Sequence, residues 1–272
     1  NNGTGVIGVA PNARVMALKA FDRSGHARLS DVVSAILYAS QNGATIINAS
    51  WRFGPSETLR STIDYAINTF DTVVVAAAGS DGAPLERGVE PANNPHVIAV
   101  GAVTQHSSRS LSSNYGGPLD VVAPGGGDIV DDGVVEPDRS ILSLLAQNSD
   151  IGKVCREEPA CDDPQRDECL RQIEICDLAP WVVSEQYVRL SGTSMAAAYT
   201  SGVAALVRSR HTTLSAAQVR QALIQYADDL GAAGWDKDSG YGQVNAARAV
   251  GPGTLPIAHI VSPENGSKMW PR

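Results

Sequence analysis

A serine within a run of small residues is the first candidate for chemistry in this sequence. Residues 191–196 read SGTSMA and precede a helical pattern rich in alanine, glycine and serine. A serine at a helix N-terminus exposes its hydroxyl, and its backbone N–H has no partner within the helix. That N–H and the helix dipole could hold the oxyanion formed when the hydroxyl attacks a carbonyl. Ser194 is therefore predicted to be a nucleophile, and local chemistry leaves a plain helix cap as the alternative.

A glycine pattern near the start of the chain imitates a dinucleotide-binding loop. Gly3, Gly5 and Gly8 have GxGxxG spacing, but such a loop must follow a strand and open a helix. Pro11 and the apolar run that begins at Arg14 leave no room for this helix. We therefore expect no organic cofactor, and a nucleotide-binding α/β protein is a minor alternative.

Four cysteines fall within one short stretch: Cys155, Cys161, Cys169 and Cys176. Their spacing does not match the paired C-x2-C units of a zinc site, so two local disulfides are predicted, with free thiols as the alternative. Disulfides form in oxidising compartments, and we therefore expect a secreted or extracellular protein.

Apolar runs alternate with helical patterns along the rest of the chain. Strands are predicted at residues 14–21, 45–50, 72–78, 96–103 and 119–123, with helices between the first of them and at 194–210 and 215–228. Ser215 and Gln218 form the capping-box pattern at the start of the last helix. Strands that alternate with helices indicate a three-layer α/β domain with a mostly parallel sheet.

The composition limits the classes of protein to which this sequence can belong. Of the 272 residues, 43% are hydrophobic, enough for the core of one large domain or two small ones. The net charge of -8 argues against the basic surface that nucleic-acid binding requires. No apolar run approaches the length of a membrane span. We expect neither nucleic acid nor a membrane as a partner.

Six further segments accompany the serine block and resemble, in sequence and in order, the blocks of the subtilisin-like serine proteases, or subtilases. They are GVAPNA at 8–13, IINAS at 46–50, VVVAAAG at 73–79, VIAVGAV at 97–103, DVVAPG at 120–125 and GYGQVN at 240–245. The resemblance implies a subtilisin-like fold and a serine endopeptidase that hydrolyses peptide bonds of proteins or peptides through a Ser-His-Asp mechanism. Ser194 takes the place of the nucleophile.

The resemblance also implies roles for residues around the nucleophile. Ser194 and Ser80 take the positions of the oxyanion donors, although the family has an asparagine where Ser80 stands. The main chain of the substrate is expected to pair with two strand edges. These edges are formed by Ser50, Trp51, Arg52, Ala77, Ala78 and Gly79.

The opening residues resemble the calcium loop of the family. Asn2 would supply a side-chain oxygen, and Thr4 and Val6 would supply carbonyl oxygens, which suits a structural Ca2+ ion. A simple glycine-rich turn is the alternative.

The aspartate and histidine of the family triad precede the blocks that this chain contains. The five histidines present fall where the family has no catalytic base. We therefore expect an N-terminally truncated subtilase that lacks its N-terminal strand and helix segment, and we expect residues 1–272 alone to be inactive. A degenerate subtilase that serves as a non-catalytic binding or scaffold module is the alternative.

The predicted organisation is a partial catalytic domain at 1–250 with a cysteine-rich acidic insertion at about 128–189, followed at 251–272 by a linker that leads toward a further domain. Between residues 155 and 177, eight acidic residues stand against three basic ones. Because the insertion directly precedes the serine block, its field is expected to favour basic substrates.

Overall fold

The computed structural model describes residues 5–22, 25–85, 89–127, 139–145, 182–184 and 186–251. The helices in these ranges are α1 (Leu29–Gln41), α2 (Glu57–Phe70), α3 (Thr193–Arg210), α4 (Ala216–Gln225) and α5 (Ala246–Val250). The strands are β1 (Ile46–Ala49), β2 (Val73–Ala77), β3 (Ile98–Val103), β4 (Val121–Pro124), β5 (Ile141–Leu144), β6 (Val182–Ser184) and β7 (Tyr187–Leu190). None of these helices combines the length and the apolar character that crossing a membrane requires.

β1 to β4 form one parallel sheet in the order of the sequence. β2 and β3 are buried along their whole length, as strands covered on both faces must be. Alternate residues of β2 enter different cores, because Val73 and Val75 pack with α3 and α4, whereas Val74 and Ala76 pack with α1 and α2. Helices therefore cover both faces of the sheet. The predicted three-layer α/β fold with a mostly parallel sheet is confirmed.

Two helices begin at serine caps that the sequence encodes. At α2, Ser56 Oγ accepts a hydrogen bond from Leu59 N at 3.2 Å. At α4, Ser215 Oγ accepts from Gln218 N at 3.3 Å, and the Gln218 side chain accepts from Ser215 N at 2.8 Å. The predicted capping box is confirmed.

α3 packs against all four strands of the parallel sheet. The side chains on its inner face are small and fully buried: Ala196, Ala197, Val203, Ala204 and Val207. Because small side chains let a helix approach its neighbours closely, the axis of α3 can lie near the sheet. At its N-terminus, Gly192 N donates to Gly125 O at 2.9 Å, directly after β4. The first turn of α3 therefore lies at the carboxyl ends of the strands.

Residues 14–21 do not form the strand predicted for them. β1 is an outer strand of the parallel sheet, and within the described ranges no strand pairs with its free side. Val15 is 90% exposed, and Met16 and Leu18 are also exposed. A strand needs a partner for its backbone N–H and C=O groups, and an apolar pattern does not provide one. The prediction of a strand at 14–21 was wrong for this reason.

β5, β7 and β6 form a small antiparallel sheet from the two ends of segment 128–189. Ile141 pairs with Leu190, so β5 and β7 hold the two ends of this segment side by side. β7 ends directly before the serine block at 191–196. The four cysteines and residues 252–272 lie outside the described ranges, and the disulfides and the linker stay predictions.

Gly202 marks a close contact between α3 and the N-terminal segment. A Cβ at position 202 would lie 2.7 Å from Val9 Cβ. Alanine in place of glycine usually stabilises a helix interior by about 1 kcal/mol, whereas overpacking costs about 1–3 kcal/mol. We predict that Gly202→Ala lowers the free energy of unfolding by about 1 kcal/mol, measured by urea unfolding followed by circular dichroism.

Gly54→Ala is the matched control, because nothing lies within 4 Å of a Cβ at that position. This variant should unfold at the urea concentration of the parent protein or slightly above it. If Gly202→Ala were instead the more stable protein, the contact with Val9 would not constrain α3.

Candidate active site

Ser194 lies in the first turn of α3, and its side chain does not cap the helix. The N-cap residue is Gly192, with a φ of 128° that favours glycine, and α3 has no side-chain cap bond. Ser194 Oγ instead donates to the carbonyl oxygen of Ser50 at 3.2 Å. The interpretation of this serine as a plain helix cap therefore does not fit the structure.

Two hydrogen bonds connect Ser50 and Ser194, and in each the hydroxyl of one serine donates to the carbonyl oxygen of the other. Ser50 Oγ donates to the Ser194 carbonyl oxygen at 2.8 Å and accepts from Asn48 Nδ2 at 3.0 Å. Asn48 Oδ1 in turn accepts from Ser201 Oγ at 3.1 Å. Sequence reasoning identified Ser50 but missed Asn48 and Ser201, which tie it to α3. These contacts fix the Ser194 hydroxyl at the edge where open parallel sheets bind their ligands.

Ser80 follows β2 and lies beside the start of α3. Its Oγ accepts a hydrogen bond from Thr193 N at 3.1 Å and lies 3.1 Å from Thr193 Oγ1. Thr193 Oγ1 also accepts from Gly79 N at 3.1 Å, so its own proton is available to Ser80. In that arrangement Ser80 Oγ acts only as an acceptor toward Thr193, and its own proton can be donated to another group. The structure thus brings Ser80 beside the first turn of α3, in which Met195 N and Ala196 N bond to Gly192 O.

The two predicted substrate segments begin where the ladder between β1 and β2 ends. Ala49 and Ala76 are the last pair of this ladder. The side chains of Ala77 and Ala78 are buried in the cores on opposite faces of the sheet. These side chains are therefore not available to a substrate, and the main chain of Ala78 already bonds to Val100 O and Asn114 Nδ2.

The residues that follow β1 have contacts of two kinds. The ring of Trp51 packs against two phenylalanine rings, with centroids 6.2 and 5.8 Å apart, and joins the apolar cluster of α1 and α2. Ser50 and Arg52 instead bond to polar groups of other segments. Of the three residues predicted here to form a substrate-binding edge, Ser50 and Arg52 therefore have side chains in the polar network and Trp51 does not.

Arg52 and Asp81 form an ion pair between the two segments. Both terminal nitrogens of Arg52 donate to the carboxylate, one of them to Oδ1 at 3.0 Å. The Arg52 guanidinium is the main reason that the pKa of Asp81 lies below its ordinary value, while partial burial acts in the opposite direction. The Arg52 side chain is 55% exposed and that of Asp81 is 44% exposed. Sequence reasoning missed Asp81, because no local motif connects it with Arg52.

Asn114 is buried beside this pair and uses both ends of its amide. Its Oδ1 accepts from Asp81 N at 3.0 Å and from Ala83 N at 3.1 Å. Its Nδ2 donates to Ala78 O at 3.1 Å and to Asp81 Oδ2 at 3.2 Å. Gly79 has a φ of 101°, and a Cβ there would lie 2.3 Å from Asn114 Nδ2, so the site requires glycine at that position. No signal in the sequence marks Asn114.

None of the described histidines hydrogen-bonds to Ser194. His96 Nδ1 lies 3.1 Å from Asp64 Oδ1, and His211 Nε2 lies 3.0 Å from the carbonyl oxygen of Val250. The other two described histidines are exposed at the surface: His26 and His106. His259 lies outside the described residues.

The predicted calcium loop falls mostly outside the described residues. Asn2 and Thr4 are not described, and Val6 is. Across the described ranges, no group of three or more histidine, cysteine, aspartate or glutamate side chains is arranged to hold a metal ion. The calcium site stays a prediction.

The glycine pattern at the start of the chain lacks the geometry of a dinucleotide loop. Residues 9–20 contain no helix, although such a loop must open one. A Cβ on Gly5 would collide with the Tyr187 hydroxyl, so this glycine makes room for a side chain of β7.

Comparison with known proteins relates this chain to one family. The model of the Subtilase family matches residues 1–242. A thermophilic serine proteinase from Bacillus sp. (strain AK1) is 34% identical over 251 residues, which cover 92% of this chain and 48% of that protein. Subtilisin DY from Bacillus licheniformis is 34% identical over 235 residues, which cover 85% of this chain and 67% of that protein. The chain thus spans about half the length of the first relative.

Two solved protease structures are similar to the fold of this chain. A protease from Pseudoalteromonas arctica superimposes with a TM-score of 0.70 at 29% identity, covering 92% of this chain and 66% of that one. A lanthipeptide protease superimposes with a TM-score of 0.69 at 25% identity, covering 89% of this chain and 71% of that one.

The Arg52–Asp81 pair contributes to stability in a pH-dependent way. Because the pKa of Asp81 is lower in the folded chain than its ordinary value, the folded state binds this proton less readily than the unfolded state. The contribution is therefore complete above a pH of about 5 and is lost as the pH falls through the lowered pKa. We predict that Arg52→Gln raises the pKa of Asp81 and costs less than about 1 kcal/mol at neutral pH, because both groups are exposed.

Carboxyl-carbon NMR titration of Asp81 and urea unfolding at neutral and acid pH measure these two effects. Arg248→Gln removes a comparably exposed ion pair, with Asp228, and should leave the Asp81 titration unchanged. An unchanged pKa of Asp81 in Arg52→Gln would show that the pair does not form in solution.

Proposed function

The chain belongs to the subtilase family of serine proteases, and we propose that the protein is a serine endopeptidase in which Ser194 is the nucleophile. The observation that supports this most strongly is the position of Ser194 in the first turn of α3, at the carboxyl ends of the parallel strands and without a capping role. A negative charge that develops there meets the backbone N–H of Ser194 and the positive end of the helix dipole.

In the proposed reaction, Ser194 Oγ attacks the carbonyl carbon of the scissile peptide bond and passes its proton to a histidine. The resulting oxyanion accepts hydrogen bonds from Ser194 N–H and from the Ser80 hydroxyl. Because no described histidine contacts Ser194, we assign the histidine and its aspartate partner to a part of the protein upstream of this chain. Residues 1–272 alone would then keep a rate only about 10³ to 10⁴ above that in water.

The substrate is proposed to be an extended segment of a protein or peptide that lies between residues 50–52 and 77–79. The end of the β1–β2 ladder at Ala49 and Ala76 supports this mode, because the two segments that follow are no longer paired with each other. Pairing through the main chain binds many sequences, and the choice among them then falls to neighbouring side chains.

Three further properties belong to this proposal. The four cysteines form two disulfides, the protein is secreted, and Asn2, Thr4 and Val6 provide oxygen ligands for a structural calcium ion. Their support is the spacing of the cysteines and the oxygen-rich character of the opening residues.

A non-catalytic subtilase is the second candidate. Two observations favour it: serine in place of the asparagine expected at position 80, and the ion pair that Arg52 and Asp81 form between the substrate segments. Such a protein would bind peptides without cleaving them.

Labelling with a fluorophosphonate probe tests the nucleophile. The probe reacts at phosphorus with the same activated hydroxyl that attacks a carbonyl, so the protein with its native upstream region should be labelled at Ser194. Ser194→Ala should abolish the labelling. Ser209→Ala, at an exposed position near the other end of α3, is the matched control and should be labelled like the parent.

Equal labelling of the parent and Ser194→Ala would show that Ser194 is not the nucleophile. A well-folded protein that is not labelled at all would support the non-catalytic candidate.

The oxyanion role of Ser80 has its own test. Loss of a side-chain donor lowers kcat by about 10² to 10³ in sites of this kind. We predict that Ser80→Ala lowers kcat for a peptide substrate by about tenfold or more, since Thr193 supplies the proton of the bond between them and leaves the Ser80 proton for the oxyanion, and that Ser80→Asn raises it above the parent value. Ser30→Ala, at an exposed position of α1, serves as the control. An unchanged kcat in Ser80→Ala would contradict the assignment.

A further inference from the structure

The Arg52–Asp81 ion pair connects the two segments between which the substrate is proposed to lie. Arg52 is two residues beyond Ser50, which bonds directly to Ser194. Two residues of chain span at most about 7 Å, so the backbone of Arg52 lies close to the nucleophile. Asp81 is two residues beyond Gly79 on the opposite segment. The pair therefore joins the two sides of the proposed cleft near the point of attack.

Asp81 is the fixed member of this pair. Its backbone N–H and its Oδ2 both bond to Asn114, which is 5% exposed and is held in turn by Ala78 O and Ala83 N. The carboxylate is thus anchored to a buried side chain behind the cleft. An anchored carboxylate gives the guanidinium of Arg52 a preferred position, because the planar fork of arginine matches both carboxylate oxygens.

Arg52 keeps hydrogen-bond donors that Asp81 does not use. A guanidinium carries five N–H groups, and its two bonds within the described part of the chain both go to Asp81. The side chain is also more than half exposed. Asp81 has less capacity left, since its Oδ2 already accepts from both Arg52 and Asn114. A third group that enters the cleft therefore finds more free donors on Arg52 than free acceptor sites on Asp81.

From this asymmetry we propose that Arg52 is a specificity-determining residue that selects peptides with an acidic side chain on the residue whose carbonyl Ser194 attacks. The proposal rests on the proposed endopeptidase function. The substrate carboxylate binds the N–H groups of Arg52 that face away from Asp81, while Asp81 and Asn114 keep the guanidinium in place. Arg52 binds the substrate, and Asp81 and Asn114 are positioning residues.

This proposal opposes the preference expected from charge alone. The acidic residues between 155 and 177 and the net charge of -8 would attract basic substrates from a distance. Long-range attraction changes the rate of encounter and is screened by salt, whereas bonds to Arg52 act at contact. The two effects are therefore separable by experiment.

The test uses three peptidyl diphenyl phosphonates that differ only in the side chain at phosphorus, which is that of glutamate, alanine or lysine. The second-order rate of labelling at Ser194 is measured in the protein with its native upstream region, at 0.15 and 1 M NaCl. We expect the glutamate probe to react at least about tenfold faster than the alanine probe at the lower salt concentration. The glutamate-to-alanine ratio should stay above one at the higher salt concentration, because direct contacts are screened less.

Arg52→Gln should lower the glutamate-to-alanine ratio to near one. Arg248→Gln, which removes an equally exposed arginine from its pair with Asp228, should leave that ratio unchanged. Thermal melting of both variants checks that they are folded.

Three results would overturn the inference alone while Ser194 is labelled by the fluorophosphonate: equal rates for the three probes, fastest labelling by the lysine probe, or an unchanged ratio in Arg52→Gln. Failure of fluorophosphonate labelling would overturn the proposed function, and this inference with it.

Discussion

The close packing of α3 against the parallel sheet is the constraint on which the rest of the structure depends. The inner face of this helix is made of small buried side chains, and Gly202 admits Val9 on another face. Interiors packed in this way transmit small displacements, because they contain few voids that could absorb them. The position of Ser194 is therefore set by apolar packing along the whole length of α3, well beyond the turn that contains it.

Polar contacts, in addition to this packing, fix the first turn of α3 relative to the sheet. The paired bonds between Ser50 and Ser194 tie the end of β1 to α3, and the contacts of Thr193 with Gly79 and Ser80 do the same for the end of β2. Each contact joins residues far apart in the sequence and close to the carboxyl ends of the strands. Functional groups on rigid elements keep their geometry better than groups on loops. The site is thus built where helix and sheet are most firmly joined.

The sequence predicts those parts of the fold that depend on local pattern. The buried runs of β2 and β3, the capping box at Ser215 and the serine block are all local signals. The resemblance that the serine block and the strand segments support is confirmed by the family to which the chain belongs. The strand at 14–21 was wrong because pairing depends on a distant partner. Asn114 and Asp81 were missed for the same reason, since their contacts bring together segments that no periodicity relates. The role predicted for Ser80 depends on the resemblance, whereas that of Ser194 depends also on its place at a helix N-terminus, and the structure shows the neighbours of both.

The ladder between β5 and β7 has a consequence for how the chain can vary in length. Because Ile141 pairs with Leu190, the segment between them is a closed loop whose two ends are held side by side. The entropy of closing such a loop grows only with the logarithm of its length, so a doubling costs about 0.6 kcal/mol. Judged by this entropy alone, a change in the number of residues between β5 and β7 alters the folding free energy little. The serine block begins directly after Leu190, so the ladder keeps its starting position fixed when the length of the preceding segment changes.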